Sequence, residues 1–186
     1  MKKRLIVILA ALLGCVFSAS AQRYAVSTNI PDWAFLGTMN AKGEIAINNN
    51  WSIQAGARYN PWTYNKGNAD KQMEDRKLTL GAAVRTWPWT VFTEWYFAGG
   101  VQWEQYNRGG IWGRKTEEGD AYGVTFAAGY TFMVKEHFNI EAGLGGWTGI
   151  KNYRTYRCPY CGRLEDEGRK FFILPNEVTI SLVYVF

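Results

Sequence analysis

From Val178 to the terminal Phe186, apolar and small or polar side chains alternate: Val178, Ile180, Leu182, Tyr184 and Phe186 fall on one side, Thr179, Ser181, Val183 and Val185 on the other. Strand side chains point alternately to two faces, so a period of two predicts a strand with one wholly apolar face. The pattern recurs upstream. Tyr122, Val124, Phe126, Tyr130 and Phe132 oppose Ala121, Gly123, Thr125, Ala127, Gly129 and Thr131. Trp51, Ile53, Ala55, Ala57 and Tyr59 oppose Ser52, Gln54, Gly56 and Arg58. Carried along the chain, the reading predicts eight strands, at 23–30, 42–48, 51–59, 77–87, 90–106, 121–134, 138–153 and 176–186. No segment sustains a helical period, and no repeat or low-complexity tract interrupts them.

The connections then decide the architecture. Short turns at 48–50, 88–89 and 135–137 alternate with longer, more polar stretches at 31–41, 61–76, 107–120 and 154–175. A bacterial outer-membrane barrel has short periplasmic turns at one end and longer external loops at the other. A soluble two-sheet sandwich has no reason to sort its connections by end. The expectation is an all-β chain forming an eight-stranded antiparallel up-and-down transmembrane β-barrel, with its apolar face outward.

The N-terminus agrees with that compartment. Lys2, Lys3 and Arg4 precede an apolar run from Leu5 to Leu13, and Ala19-Ser20-Ala21 follows. This is the pattern of a cleaved secretory signal peptide at 1–21, with a barrel domain at 22–186. Leu12-Leu13-Gly14-Cys15 also fits a lipoprotein signal, in which Cys15 would carry the lipid. The leader holds three of the 21 Lys and Arg, so the mature chain is nearly balanced, with 18 basic residues against 16 acidic. No basic block is present, which argues against a nucleic-acid partner. No later apolar stretch is long enough for a spanning helix.

With the aromatic face outward, Glu44, Arg58, Arg85, Glu94 and Glu141 fall inside, on five different strands. Buried charges need partners. Two arginines among three carboxylates in a narrow lumen predict a structural ion-pair network, and Gly81, Ala83, Gly123, Ala127, Gly129, Gly143 and Gly145 leave room for their side chains. A catalytic carboxylate pair or an ion path is the functional alternative. Cys158-Pro159-Tyr160-Cys161 has redox spacing but lacks the βαβ setting that lowers a thiol pKa, so a Cys158–Cys161 disulfide is expected. Two thiolates make half a zinc site. The only histidine, His137, lies in a short turn away from the long loops, which leaves no triad to build. The terminal Phe186 is expected to signal assembly into the outer membrane.

The segments GEIAINNNWSIQAGARY, AAVRTWPW, AAGYTFMVKEHFNIEAGLG and EVTISLVYVF, with Arg85-Thr86-Trp87 and Cys161-Gly162, resemble the domain-of-unknown-function 3575 family (DUF3575). The resemblance implies a small outer-membrane barrel of Bacteroides-group bacteria, encoded beside cell-surface genes that are often fimbrial. It supplies no catalytic residue to carry over. The expected function is therefore a structural or surface-docking role rather than catalysis, with no cofactor and with catalytic and metal sites both absent. Expected partners are outer-membrane lipids and lipopolysaccharide, the assembly machinery through the C-terminal strand, and a cell-surface protein. A membrane-embedded enzyme or narrow channel is the alternative. A soluble calycin-like ligand binder is the second, and it would want an apolar interior.

Overall fold

The computed structural model describes residues 23–68, 71–111, 115–158 and 163–186. The expected leader at 1–21, Cys15 and Cys161 lie outside the described residues. Strand β1 (Tyr24–Asn29) is followed by a short helix α1 (Ile30–Ala34), β2 (Met39–Ala46), β3 (Trp51–Asn60) and a two-residue strand β4 (Thr63–Tyr64). Then come β5 (Met73–Thr86), β6 (Glu94–Gly109), β7 (Thr116–Lys135), β8 (Phe138–Tyr156) and β9 (Leu164–Val185). Every pairing is antiparallel between neighbours, and β3 pairs directly with β5, leaving β4 as a clip on the edge of β5. The sheet closes where β1 meets β9, from Ala25 opposite Val185 to Asn29 opposite Ser181. The result is a closed antiparallel barrel of eight long strands.

Three connections, at 47–50, 87–93 and 136–137, share one end of the barrel with Tyr24 and Phe186. From that end the eight strands rise to unequal heights, with 6, 8, 10, 14, 16, 20, 19 and 22 residues in order around the wall. The rim at the other, hairpin end therefore slopes, low over β1–β3 and tall over β6–β9. At the low side Asn29 extends the ladder after the β1 backbone has left it. Its amide donates to the Val178 carbonyl (3.2 Å) and its side-chain oxygen accepts from the Ile180 N–H (2.9 Å).

The alternation sorts as expected. Trp51, Ile53, Val101, Val124, Phe126, Ile180 and Leu182 are exposed on the outer face. Ser52, Thr131, Thr179 and Ser181 are buried in the lumen. The outer belt has a sharp upper limit. Ala57, Leu80, Trp103, Tyr122, Ile150 and Phe171 are successive cross-strand partners, and one rung higher stand Tyr59, Leu78, Gln105, Asp120, Asn152 and Arg169. On β6–β9 apolar outer positions give way to polar ones in that single step, while Tyr59 and Leu78 carry the apolar face one rung further on β3 and β5.

Three expectations need correction. Much of the stretches 107–120 and 154–175 is strand: β7 starts at Thr116, β8 runs to Tyr156 and β9 starts at Leu164. Above the belt both faces carry polar and charged side chains, so the period of two that marks a half-buried strand vanishes there. The turn at 88–89 is wider, spanning 87–93, because Val91 and Phe92 fold back into the barrel mouth instead of continuing β6. The loop at 31–41 contains α1, started by Pro31 in the first turn, and yields to β2 at Met39.

Candidate functional site

At the turn end the lumen is closed by side chains. Trp87, Phe92 and Tyr96 pack with Ala25, Val183 and Val185 in one buried cluster. The Trp87 ring meets Phe92 edge-on at 5.9 Å, and Asn50 ties the turn in place by donating to the carbonyls of Trp87 (2.8 Å) and Trp89 (2.7 Å). Above the aromatics lies Arg85, only 2% exposed. Its guanidinium stacks 3.8 Å from the centre of the Tyr96 ring and 4.5 Å from Trp87. One terminal nitrogen donates to Glu44, the other to Glu141 Oε1 at 3.0 Å. The carboxylates have further donors: Ser52 and Gln54 (3.0 Å) on Glu44, and Thr131 (3.3 Å) on Glu141. Trp87 Nε1 donates to Ser52 at 2.9 Å and joins the aromatic floor to the ion pairs.

Small residues make this possible. A Cβ on Gly129 or Gly143 would come within 2.5 or 2.7 Å of the Tyr96 hydroxyl, so the ring occupies space those strands leave empty. Of the five charges expected together, Glu44, Arg85 and Glu141 meet. Arg58 instead reaches the rim and pairs with Asp32 of α1 at 3.1 Å. Glu94 opens β6 with a φ of 57° at the turn end, outside the Arg85 cluster.

A second network lies higher in the lumen and was not expected. Arg108 Nε bonds Asp75 at 2.7 Å and its Nη2 bonds Glu104 at 2.6 Å. Lys77 adds a contact to Asp75 (2.8 Å), and Thr79 donates to Glu104 (2.9 Å). Beside it, Glu117 accepts from the Tyr106 hydroxyl (2.7 Å) and from Lys151 (2.6 Å). Between the two networks remains a cavity of about 90 Å³. Above them, at the hairpin end, opens a vestibule of about 900 Å³, walled by β3, β5 and the tall strands β6–β9. The lumen is a cup with a charged and aromatic floor.

The description "Protein of unknown function (DUF3575)" belongs to the family whose sequence profile matches residues 6–186. The chain belongs to the DUF3575 family. Neither the curated proteins nor the solved structures hold a match to it.

In this DUF3575 barrel the β8–β9 hairpin is the tallest feature. Cys158 is disulfide-bonded close above the last rung of β8, and Arg157 N–H donates to the Arg163 carbonyl at 3.2 Å. Ion pairs brace the hairpin: Lys115 with Glu165 at 2.7 Å, and Arg154 with Glu167 at 3.5 Å. The Lys115 ammonium, hydrogen-bonded to Glu165, holds that carboxyl below its ordinary pKa. Hydrogen bonds to Asp166 and Glu118 raise the hydroxyls of Tyr153 and Tyr156 respectively.

Other candidates lie at the opposite end. His137 Nδ1 sits 2.9 Å from the Val185 carbonyl and packs near Tyr184, far along the barrel from the vestibule. Phe186 exchanges backbone hydrogen bonds with Tyr24 (2.9 and 3.1 Å) and stacks on its ring. Among the described residues no group of three or more His, Cys, Asp and Glu could hold a metal. The plugged floor predicts a small or negligible conductance for the intact protein in planar bilayers. A large, steady, single-level current would show instead that the lumen is open.

Proposed function

We propose that this protein is an exported outer-membrane barrel whose tall β6–β9 wall is a docking surface for another cell-surface protein. The observation that carries the reading is the continuation of β8 and β9 above the apolar belt into a braced, charged hairpin that no part of the barrel requires for closure. An apolar band that ends abruptly along the β6–β9 side, at a row carrying Trp103, Tyr122 and Phe171, is what a bilayer selects on a barrel exterior. A soluble barrel gains nothing from exposing Trp103, Tyr122 and Phe171 in one ring. With the band in lipid, the chain ends and tight turns face the periplasm and the hairpin faces outward. The leader at 1–21 fits the same export route.

Arg154, Arg157, Arg163, Arg169 and Lys170 interleave with Tyr153, Tyr156 and Phe171 along the hairpin. Arginine and tyrosine are favoured at interfaces because each covers broad surface while keeping a polar handle. Bracing the hairpin beforehand reduces the entropy lost on docking. The family resemblance makes an appendage or adhesin component a reasonable partner class. A narrow channel is opposed by the plug, and a calycin-like binder by the charged lumen.

The protein is expected to fractionate with outer membranes and to run faster on gels unboiled than boiled, because a closed barrel resists detergent. Photo-crosslinking in cells from the exposed position 154, outside the deleted segment, should yield one discrete surface partner that is lost in a variant lacking residues 157–170. Labelling confined to lipid in both strains would reject docking. Recovery in the soluble periplasm would reject the membrane reading itself.

A further inference from the structure

The wall closes at the β1–β9 seam, but only in its lower part. β1 ends at Asn29, opposite Ser181, and the Asn29 side chain serves Val178 and Ile180. Above Val178 the strand β9 continues to Leu164 with β8 on one side and, among the described residues, no strand on the other. Residues 163–171 are all exposed. An antiparallel strand turns the N–H and C=O of alternate residues away from its partner, so this stretch offers an unsatisfied ladder. Natural edges are usually blunted by proline, bulges or cover. Here those devices sit at the two ends: Pro175 and the register shift opposite Gly145 and Gly146 lie just above the point where Asn29 ends, and a second shift, opposite Thr155 and Tyr156, falls at Glu165 near the hairpin tip. Residues 166–174 between them have none.

The lower part of the edge makes the vacancy costly. Phe171 and Ile173 belong to the outward apolar belt, 63% and 68% exposed. If that belt lies in lipid, a backbone N–H at this height cannot turn to water, and each one left unpaired costs several kcal/mol by general reckoning. The charge order along the edge is also uneven. Glu165, Asp166 and Glu167 precede Gly168, then Arg169 and Lys170, then the apolar run Phe171 to Leu174.

We infer that the open edge of β9 over residues 164–174 is a strand-docking site, filled by an extended segment of a second protein. This deepens the docking reading above and rests on it. The segment is apolar beside Phe171–Leu174, acidic beside Arg169 and Lys170, and basic beside residues 165–167. It adds a strand to the barrel wall, so main-chain bonds supply affinity and the charge order supplies register. A second copy of this chain in the same membrane does not fit. Barrel strands tilt by about 35–45° from the membrane normal, so copies related by a twofold along the normal cross at about twice that angle and cannot pair in parallel or antiparallel register.

The test uses the full-length barrel in detergent and two synthetic peptides of identical composition. One is an extended undecamer with apolar, acidic and basic thirds in the order that meets β9 antiparallel; the other has the acidic and basic thirds exchanged. The matched peptide should slow amide exchange in residues 164–174 and bind about tenfold more tightly than the exchanged one. Raising the salt should narrow that difference. Of the variants Arg169→Pro and Lys170→Pro, one removes an N–H bonded to β8 and the other an N–H on the open edge. The edge variant should keep the barrel's unboiled gel mobility and lose the peptide. Equal binding of both peptides, protection located elsewhere than β9, or edge-mediated dimerisation without peptide would overturn the proposal. A partner crosslinked from position 154 and lost on hairpin deletion, yet retained by both proline variants, would preserve docking while removing the strand mechanism.

Discussion

Arg85→Ala is expected to lower the stability of the folded barrel by about 3–5 kcal/mol, the range for removing one member of a buried ion pair. The cost arises from what stays behind. Glu44 and Glu141 are 5% and 4% exposed, and without the guanidinium two carboxylates would face each other in a narrow lumen. Ser52, Gln54 and Thr131 would still donate to them, but neutral donors do not cancel charge. The Tyr96 and Trp87 rings would lose the flat cation stacked between them and the acids. Arg85→Lys keeps the charge but cannot bridge two carboxylates with a planar fork, so it should fall between wild type and alanine. The double variant Arg85→Ala with Glu141→Gln should recover part of the loss, since one of the stranded charges is then gone. The measurement is the urea or heat midpoint of the unboiled-to-boiled gel shift in detergent. A loss under about 1 kcal/mol for Arg85→Ala would sink the plug as a stabilising device, because it would place the site in the range of exposed pairs.

The parts of this fold that could be read from the chain are those where one face differs chemically from the other. Strands 51–59, 121–134 and 176–186 alternate because their outer positions are apolar and their inner ones are small or polar, and the alternation vanishes where that contrast does. Above the row from Ala57 to Phe171 the flanking residues are Glu117, Asp120, Asn152, Arg154, Glu167 and Arg169. Such a strand is indistinguishable from a solvated loop by pattern alone, which is why the hairpin read as loop. The turn at 87–93 was hidden differently. Phe92 and Glu94 adopt φ values of 67° and 57° without being glycine, a conformation no local residue preference announces.

The site was legible in the same measure. A lone Arg85 on a face of glycine and alanine had to find a carboxylate, and Glu44 and Glu141 were the inward acids at its level. Arg58 carried the same signature and found Asp32, which a short helix brings over the low rim. No spacing rule links those two positions. The Arg108, Asp75 and Glu104 network escaped because Asp75 and Arg108 lay in stretches read as loops, so the two ends of the bridge were never placed on facing strands. The open edge of β9 is invisible in sequence for a related reason. It follows from β1 being sixteen residues shorter than its neighbour, a property of pairing between chain ends.

Val124→Arg should cost about 2–4 kcal/mol if the outer belt faces hydrocarbon, as charged substitutions do near the midplane of a barrel. Val124 is the right probe because it points outward, is 53% exposed, and pairs sideways with Val101 and Thr148 in the middle of the belt. Nothing in the protein packs against that face to be disturbed, so the penalty reports the surrounding medium. On a water-soluble barrel the same change would stay within about 0.5 kcal/mol, the usual range for a surface position. Asn152→Arg provides the internal control. It stands one rung above the belt, between Asp120 and Arg169, where water should solvate a new charge at little cost in either medium. The two variants should therefore differ by at least about 2 kcal/mol when refolded into lipid vesicles, and by almost nothing in their effect on the plug. Equal, small effects would place the belt in water or under a soluble partner, and the membrane assignment would fall with it.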